Sequence, residues 1–564
     1  MAWFAALCEK YPEFGVFLAI GLGYLIGEIK IRGVGLGSVT GSLIAGLLIG
    51  YVVHVPVSDA AKSMLFLLFL FGIGYSSGPT FFKSMRGGGW RWAVLAVVTP
   101  TAGLFTAWAV AWALDLDLGF AAGLLSGALT ESPAMGTASE AIKALALPDA
   151  ETQLLIAHIA VADAMCYVFG TFGVIAFCSM LGPKLLGIDL KVEARRVENE
   201  LGLVRAKPGV VSAWSAFVVR AYRIAPGMRS TGMRIADAEK LAPGARIFVE
   251  RIRRDGRILD AHPDLTLEVG DIVAVSGRQE TIIELLDRYV DEVADVELLD
   301  MPIATFEIHV TSKEFAGRTL GELAQRTAEV HGVFVRRLKR GEDELPIAPG
   351  TVLARGDLIT ITGPESSVLR LSPRLGDVLH PSVDTDLGTL GLAICAGIVV
   401  GVAVNIPIAG MHIALGTSVG TLIAGLLVGW LRTTRPTFAR FPDAAIMLMR
   451  SLGLAAFVAM VGLKAGPVFV DAVRQVGLKL LLGGVVVTLV PLFVGLYFGR
   501  YVLKLDPLLL LGGLAGAQTM TPALAAVQER SESPVAVLGY SGTVAIGHVL
   551  LTTWGAVIVA LMSW

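Results

Sequence analysis

Two apolar blocks, residues 1–183 and 385–564, flank a charged middle segment, and this division limits what the chain can fold into. Of its 94 Lys, Arg, Asp and Glu residues, 58 fall between Lys184 and Val383. The chain is 54% hydrophobic and 17% charged, which leaves the flanks too little polar surface to face water. They call for a bilayer. A crossing helix takes about 20 apolar residues. Such stretches lie near Phe14–Gly27, Val34–Val53, Met64–Phe82, Trp92–Leu114 and Leu154–Leu181, and again near Leu387–Val404, Ile413–Leu431, Ala444–Leu463, Leu478–Phe498 and Val535–Met562. The start, with Trp3, Phe4, Glu9 and Lys10, has no basic leader or small-residue cleavage site, so no removable signal peptide is expected.

Gly119–Ala144 and Pro507–Gln528 are too rich in Gly, Ser, Thr and Pro for lipid-facing helices. Irregular backbone at membrane depth survives only where protein or a water-filled cavity satisfies it, so both read as re-entrant hairpins. Loop charges set the orientation. Lys30 and Arg32 follow the first span, Lys83, Arg86 and Arg91 the third, and Asp115 and Asp117 the fourth. The N-terminus is then outside, and five crossings deliver the middle domain to the cytoplasm. Arg432, Arg435, Arg440, Arg500 and Lys504 agree, whereas Lys464, Arg474 and Lys479 count against it.

The blocks repeat one another. Gly37–Gly50 aligns without gaps to Gly416–Gly429 with nine identities in fourteen. Gly74–Phe82 aligns to Gly462–Val470, Thr130–Ala134 to Thr519–Ala523, and Lys62-Ser63 to Arg450-Ser451. Matches in one order are not a composition effect. Five crossings per block would make the copies inverted, the architecture of secondary transporters with a site near the midplane. The fold class expected is thus an α-helical polytopic membrane protein: two inverted repeats of about five transmembrane helices plus a re-entrant hairpin each, with an inserted α+β cytoplasmic region. The domains expected are 1–183, 184–298, 299–384 and 385–564.

Within the middle segment, Val218–Tyr289 alternates apolar and polar residues, and a second copy follows, in which Glu268–Gly277 matches Ala354–Gly363. Period-two runs with Gly/Asp turns read as strands, giving two β-rich α+β units. Neither carries a P-loop or an HExxH motif, and the Arg-rich runs read as solvated faces. A net charge of −2 gives no reason to propose nucleic acid. Cys8, Cys166, Cys178 and Cys395 have no metal or redox spacing.

These two copies resemble tandem TrkA-C domains. Set between repeated membrane blocks that carry SGPTFF/AGPVFV and TESPA/TMTPA, they make the whole chain similar to the aspartate:alanine exchanger family. The resemblance implies a bacterial inner-membrane antiporter for small carboxylates or amino acids, exchanging aspartate for alanine or exporting a dicarboxylate such as succinate. It also implies a homodimer with no cofactor, no covalent chemistry and no enzymatic role, and a small ligand on the TrkA-C domains.

A carboxylate crossing hydrocarbon must exchange water for fixed donors, and half-helix ends suit that need. Thr130, Ser132, Thr519 and Thr521 supply hydroxyls, with Gln518 as a neutral donor, and Pro133 and Pro522 break the helices. A packing kink is the competing reading. Ser76, Ser77 and Gly78, with Gly466 in the other copy, form a weaker candidate of the same type. Lys464 could meet a substrate carboxylate or snorkel, and Lys62 and Arg450 lie near span ends. Glu131 and Asp163 suit an α-amino group, a coupling cation or a structural ion pair. His158 and His548 could carry protons, although a hydrogen-bonded structural role is the simpler reading of both. A TrkA-C-regulated ion channel, a cation-coupled symporter and a membrane receptor remain alternatives, but the chain has no TVGYG-type filter and no output module.

Overall fold

The computed structural model describes residues 2–31, 34–35, 37–84, 89–201, 217–241, 247–285, 291–324, 332–340, 343–378, 385–408, 411–414, 416–433, 438–439 and 441–563. Arg32, Arg86, Arg435 and Arg440, which entered the loop-charge argument, lie outside them. The chain divides into two compact units. One is built from both apolar blocks, residues 1–197 and 382–564 with a short middle piece, and the other from most of the charged segment.

The first block runs α1 (Ala2–Lys10), α2 (Pro12–Gly27), α3 (Ser38–Val52), α4 (Asp59–Ser84), α5 (Trp90–Ala113), α6 (Leu118–Ala128), α7 (Pro133–Ala144) and α8 (Asp149–Ala176). The second runs α9 (Leu387–Ala403), α10 (Thr417–Arg432), α11 (Asp443–Tyr497), α12 (Pro507–Ala517), α13 (Thr521–Ser531) and α14 (Val537–Met562). Among the described residues five helical stretches are long and apolar enough to cross a membrane, and α2, α3, α9 and α10 are shorter apolar helices. Phe17, Trp112, Leu392 and Leu478 point outward, as lipid contact requires.

From α2 and α9 onward the two series run in the same order. In each block a short antiparallel strand pair (Lys30–Ile31 with Val34–Gly35; Asn405–Ile408 with Met411–Ala414) joins the first two apolar helices. The next helix begins after a glycine at φ 83° (Gly37) or 84° (Gly416). One difference stands out. The expected spans Ala444–Leu463 and Leu478–Phe498 belong to one continuous 55-residue helical stretch, α11. At 1.5 Å per residue, a straight helix of that length would reach about 80 Å. By the alignment of Gly74–Phe82 with Gly462–Val470, Gly87-Gly88-Gly89 of the first block falls on Gln475-Val476-Gly477 of the second, so two of three helix-weakening glycines are replaced.

The blocks interlock through glycines. A Cβ on Gly46 or Gly50 of α3 would collide with the backbone of Ala459 or Leu463 in α11. The repeat-equivalent Gly425 and Gly429 of α10 meet the backbone of Phe71 and Tyr75 in α4 in the same way. Close approach of this kind is how apolar helices associate without a hydrophobic driving force. Asp59 lies against Lys464, and Gly72 against Arg450, so the equivalent helices α4 and the start of α11 run antiparallel.

The other unit holds two sheets that share a four-strand order, the second with one added edge strand. In the first, β1 (Phe217–Arg223), β2 (Ile247–Arg254), β3 (Arg257–Asp260) and β4 (Ile272–Arg278) lie in the order β1-β4-β2-β3. In the second, β5 (Ile303–Val310), β6 (Phe334–Arg340), β7 (Asp343–Glu344), β8 (Leu358–Pro364) and β9 (Gly376–Val378) lie in the order β9-β5-β8-β6-β7. The duplication reaches single atoms. Arg254 forks Asp271 at 2.9 and 2.8 Å, and Arg340 forks Asp357 at 2.7 and 2.7 Å. Each Asp also accepts a backbone N–H from three residues upstream, Glu268 or Ala354.

Candidate functional site

Both Gly/Ser/Thr/Pro segments fold as broken helices. α6 ends at Ala128 and α7 restarts at Pro133; α12 ends at Ala517 and α13 restarts at Thr521. The breaks are built identically. Thr130 N–H donates to Gly127 O and Glu131 N–H to Ser126 O; Thr519 N–H donates to Gly516 O and Met520 N–H to Ala515 O. This is a Schellman cap, whose left-handed position normally holds glycine. Here it holds threonine, with φ 57° at Thr130 and 54° at Thr519. A β-branched residue in that region is strained, so each break carries a backbone cost that a plain turn would avoid.

The two tips meet. Thr130 Oγ1 donates to Gln518 O at 3.1 Å, and Thr519 Oγ1 donates to Glu131 Oε2 at 2.8 Å. Thr552 Oγ1 donates to Glu131 Oε1 at 3.0 Å, and His548 Nδ1 lies 3.3 Å from Oε2. Asp163, on α8, accepts from Ser126 at 2.6 Å and more distantly from Ser132 at 3.3 Å. Glu131, Ser132, Asp163 and Gln518 are buried. Among the described residues, neither the amide nitrogen nor the amide oxygen of Gln518 has a hydrogen-bond partner. A buried amide left unpaired carries a desolvation cost that a ligand could relieve. Thr521 and Pro522, by contrast, are exposed, so one tip is enclosed and the other open.

Each last helix supports its own tip. A Cβ on Gly127 would strike Asp163, and one on Gly516 would strike Tyr540. Asp163 holds the Ser132 hydroxyl, and Tyr540 Oη lies 2.8 Å from Thr521 Oγ1. The same position therefore supplies a carboxylate in one half and a phenol in the other. Likewise, the position after the strained threonine is Glu131 in one half and Met520 in the other. Both carboxylates come from the first block.

The remaining candidates fall elsewhere. His158 bonds Asp117 at 2.7 Å and stacks on Phe120 at the base of α6. Lys62 and Lys464 share Asp59 Oδ1, at 3.0 and 2.8 Å. The Arg450 side chain packs on Gly72. Ser76 bonds back to Gly72 O, the Ser77 carbonyl accepts from Thr80, and Gly78 and Gly466 sit at the glycine crossings. Pro133 and Pro522 lie in the first turns of α7 and α13. Ser126, Tyr540 and Thr552 were not singled out from sequence. Their residue types are unremarkable in apolar helices, and only the packing brings them to the tips.

The fold and the paired tips define a polytopic helical membrane protein with an attached pair of α+β domains. Residues 15–183 and 389–560 match a family described as a predicted permease membrane region, and residues 219–289 and 303–376 match the TrkA-C domain. An uncharacterized transporter of Bradyrhizobium diazoefficiens is 51% identical over 517 residues, 92% of this chain and 100% of the relative. One from Shewanella oneidensis is 37% identical over 567 residues and 100% of both chains. A third, from Bordetella bronchiseptica, is 39% identical over 563 residues, 99% of this chain and 98% of the relative. No solved structure matches the chain. The chain belongs to the aspartate:alanine exchanger family, with two TrkA-C domains.

Proposed function

We propose that the protein is a secondary antiporter that exchanges amino acids at the junction of its two broken helices. The observation that carries this reading is the meeting of Thr130 with Gln518 and of Thr519 with Glu131, two equivalent tips from separate blocks. The antiparallel course of α4 and the start of α11 supports an inverted repeat, the arrangement that permits access from alternate sides.

The charge of the site points to the substrate class. Two buried carboxylates face hydroxyls, one histidine and an unpaired amide, and among the described residues no Lys or Arg bonds either acid. A dianion has little to hold it there. A zwitterion presents an ammonium to Glu131 or Asp163 and a carboxylate to the Gln518 amide. Without that ammonium the acids are left in an apolar interior, which makes the empty occluded state costly and ties inward to outward flux. Membership of the family favours a bacterial inner-membrane setting, and the loop charges favour a cytoplasmic middle domain with both termini outside. The match to TrkA-C modules favours a small regulatory ligand on the paired domains, and the family resemblance favours a homodimer.

Counterflow in proteoliposomes tests this. Labelled aspartate should enter vesicles loaded with alanine or aspartate and not empty ones, and succinate should exchange about tenfold less well, the worth of about one charged hydrogen bond. Equal uptake into empty vesicles would reject antiport. Glu131→Gln should abolish exchange while leaving the protein monodisperse.

A further inference from the structure

A cavity lies away from the tips. It is lined by His54, Lys62, Gln153, Ile156, Lys464 and Pro467 among others, and holds about 290 Å³. Its two lysines converge on one carboxylate oxygen, Asp59 Oδ1. An ammonium has three N–H donors, and among the described residues each lysine spends one, on this shared oxygen. Lys62 is 7% exposed, so its remaining donors face the protein interior or the cavity. One carboxylate cannot neutralise two ammonium groups, and Lys143, at the C-terminal end of α7, adds a further positive charge to the surroundings of Lys62. A buried cation in excess is costly unless an anion joins it. The volume is several times that of a water molecule, about 30 Å³, and admits a small organic anion.

We propose that this cavity is a carboxylate-binding vestibule, a subsite that takes a small organic acid by its carboxylate on Lys62 and Lys464. Its placement fits a staging role. Ile156, on its wall, precedes Asp163 by seven residues of α8, which is about 10 Å along the helix. The vestibule holds the carboxylate of an arriving solute, and the acidic tips then receive its ammonium. The arrangement belongs to one half: the positions equivalent to Asp59, Lys62 and Lys464 are Met447, Arg450 and Ser76. In an inverted repeat those positions face the opposite side of the membrane, so the two sides recruit solute differently. That role rests on the proposed exchange, but the binding chemistry does not.

The test reads charge preference directly. Cys395 is the exposed native cysteine and the other three are buried, so Cys395→Ser gives a quiet background into which Gln153→Cys places a reporter. In the full-length protein in nanodiscs, anionic sulfonatoethyl methanethiosulfonate should modify that thiol about tenfold faster than the cationic trimethylammonioethyl reagent. Millimolar aspartate or succinate should slow the reaction, and equal chloride or phosphate should not. Lys464→Gln, at the more exposed lysine, should shrink the preference, and the additional Lys62→Gln should remove it. Arg at both positions should restore it, which separates charge from folding. Glu131→Gln should leave it intact, so a failed exchange site and a failed vestibule give different results. Equal rates for the two reagents, a preference that survives loss of both lysines, or equal protection by phosphate would overturn the proposal.

Discussion

At the scale of single residues, the strained threonines set conformation against chemistry. Glycine at position 519 would remove a left-handed penalty of about 1–2 kcal/mol but also the hydroxyl that reaches Glu131. Serine keeps the hydroxyl and sheds only the β-methyl. Thr519→Gly is therefore expected to raise the unfolding temperature in detergent while exchange falls at least about tenfold, and Thr519→Ser to retain most exchange. A loss of stability in the glycine variant would show that the hydroxyl, not the backbone, dominates the energetics of the tip. The T-x-S/T-P pattern was legible in sequence because proline suits the first turn of a helix, where its missing N–H costs nothing, and its recurrence at Pro133 and Pro522 marked both restarts. The partners of the tips were not. Asp163 and Tyr540 occupy equivalent places, yet their spacing from the tips differs between the halves, so no alignment of the tip motifs pairs them.

Among elements, the glycine matches have a different explanation from the threonine matches. The SGPTFF and AGPVFV segments recur because backbones touch there. A Cβ on Gly466 would lie 2.2 Å from the Gly50 carbonyl carbon, whereas one on Gly391 would meet nothing within 4 Å. Gly466→Ala is expected to destabilise the protein by about 1–3 kcal/mol, read as a drop in melting temperature, and Gly391→Ala to be neutral or mildly stabilising. From sequence alone a repeated glycine reads equally as a hinge, a binding loop or a crossing, because the partner backbone lies hundreds of residues away. In the middle domain the strands were legible because period-two alternation is local. The tie between the two sheets' linker and the first sheet was not. Asp295 caps Val296–Leu299 and is forked by Arg253 at 2.6 and 2.9 Å, which holds its carboxyl below the ordinary carboxylate range. A depressed pKa contributes stability above the unfolded value, about 3.9, that is lost as pH falls through the folded one. Hydrogen exchange at 296–300 should therefore accelerate on acidification below about pH 4. Asp295→Asn should exchange fast throughout and show little further acid response.

For the whole membrane unit, the halves are alike in build and unlike in contact, as the proposed alternate access would require of any single state. Glu140 of α7 accepts from Thr417 Oγ1 at 2.5 Å and from Ser418 N–H at 3.2 Å, capping the start of α10. By the alignment of the tips, the equivalent of Glu140 is Glu529, and the equivalent of Thr417 is Ser38 at the start of α3. Glu529 is exposed, and no hydrogen bond joins it to Ser38. If alternate access exchanges the conformations of the halves, the Glu140 cap opens as a Glu529 cap forms. A carboxylate at a helix N-terminus is worth about 0.5–2 kcal/mol. Glu140→Gln should thus shift the population about twofold to thirtyfold toward the other state, and Glu529→Gln should shift it the other way. Cysteine pairs make the comparison sharp. With Cys395 replaced by serine, Glu140→Cys with Thr417→Cys should cross-link readily and lock exchange. Glu529→Cys with Ser38→Cys should cross-link only as the protein cycles, faster with substrate on both sides of the membrane. If the second pair never closes under turnover while exchange proceeds normally, the halves do not trade places, and the asymmetry of the caps is a fixed feature of the fold.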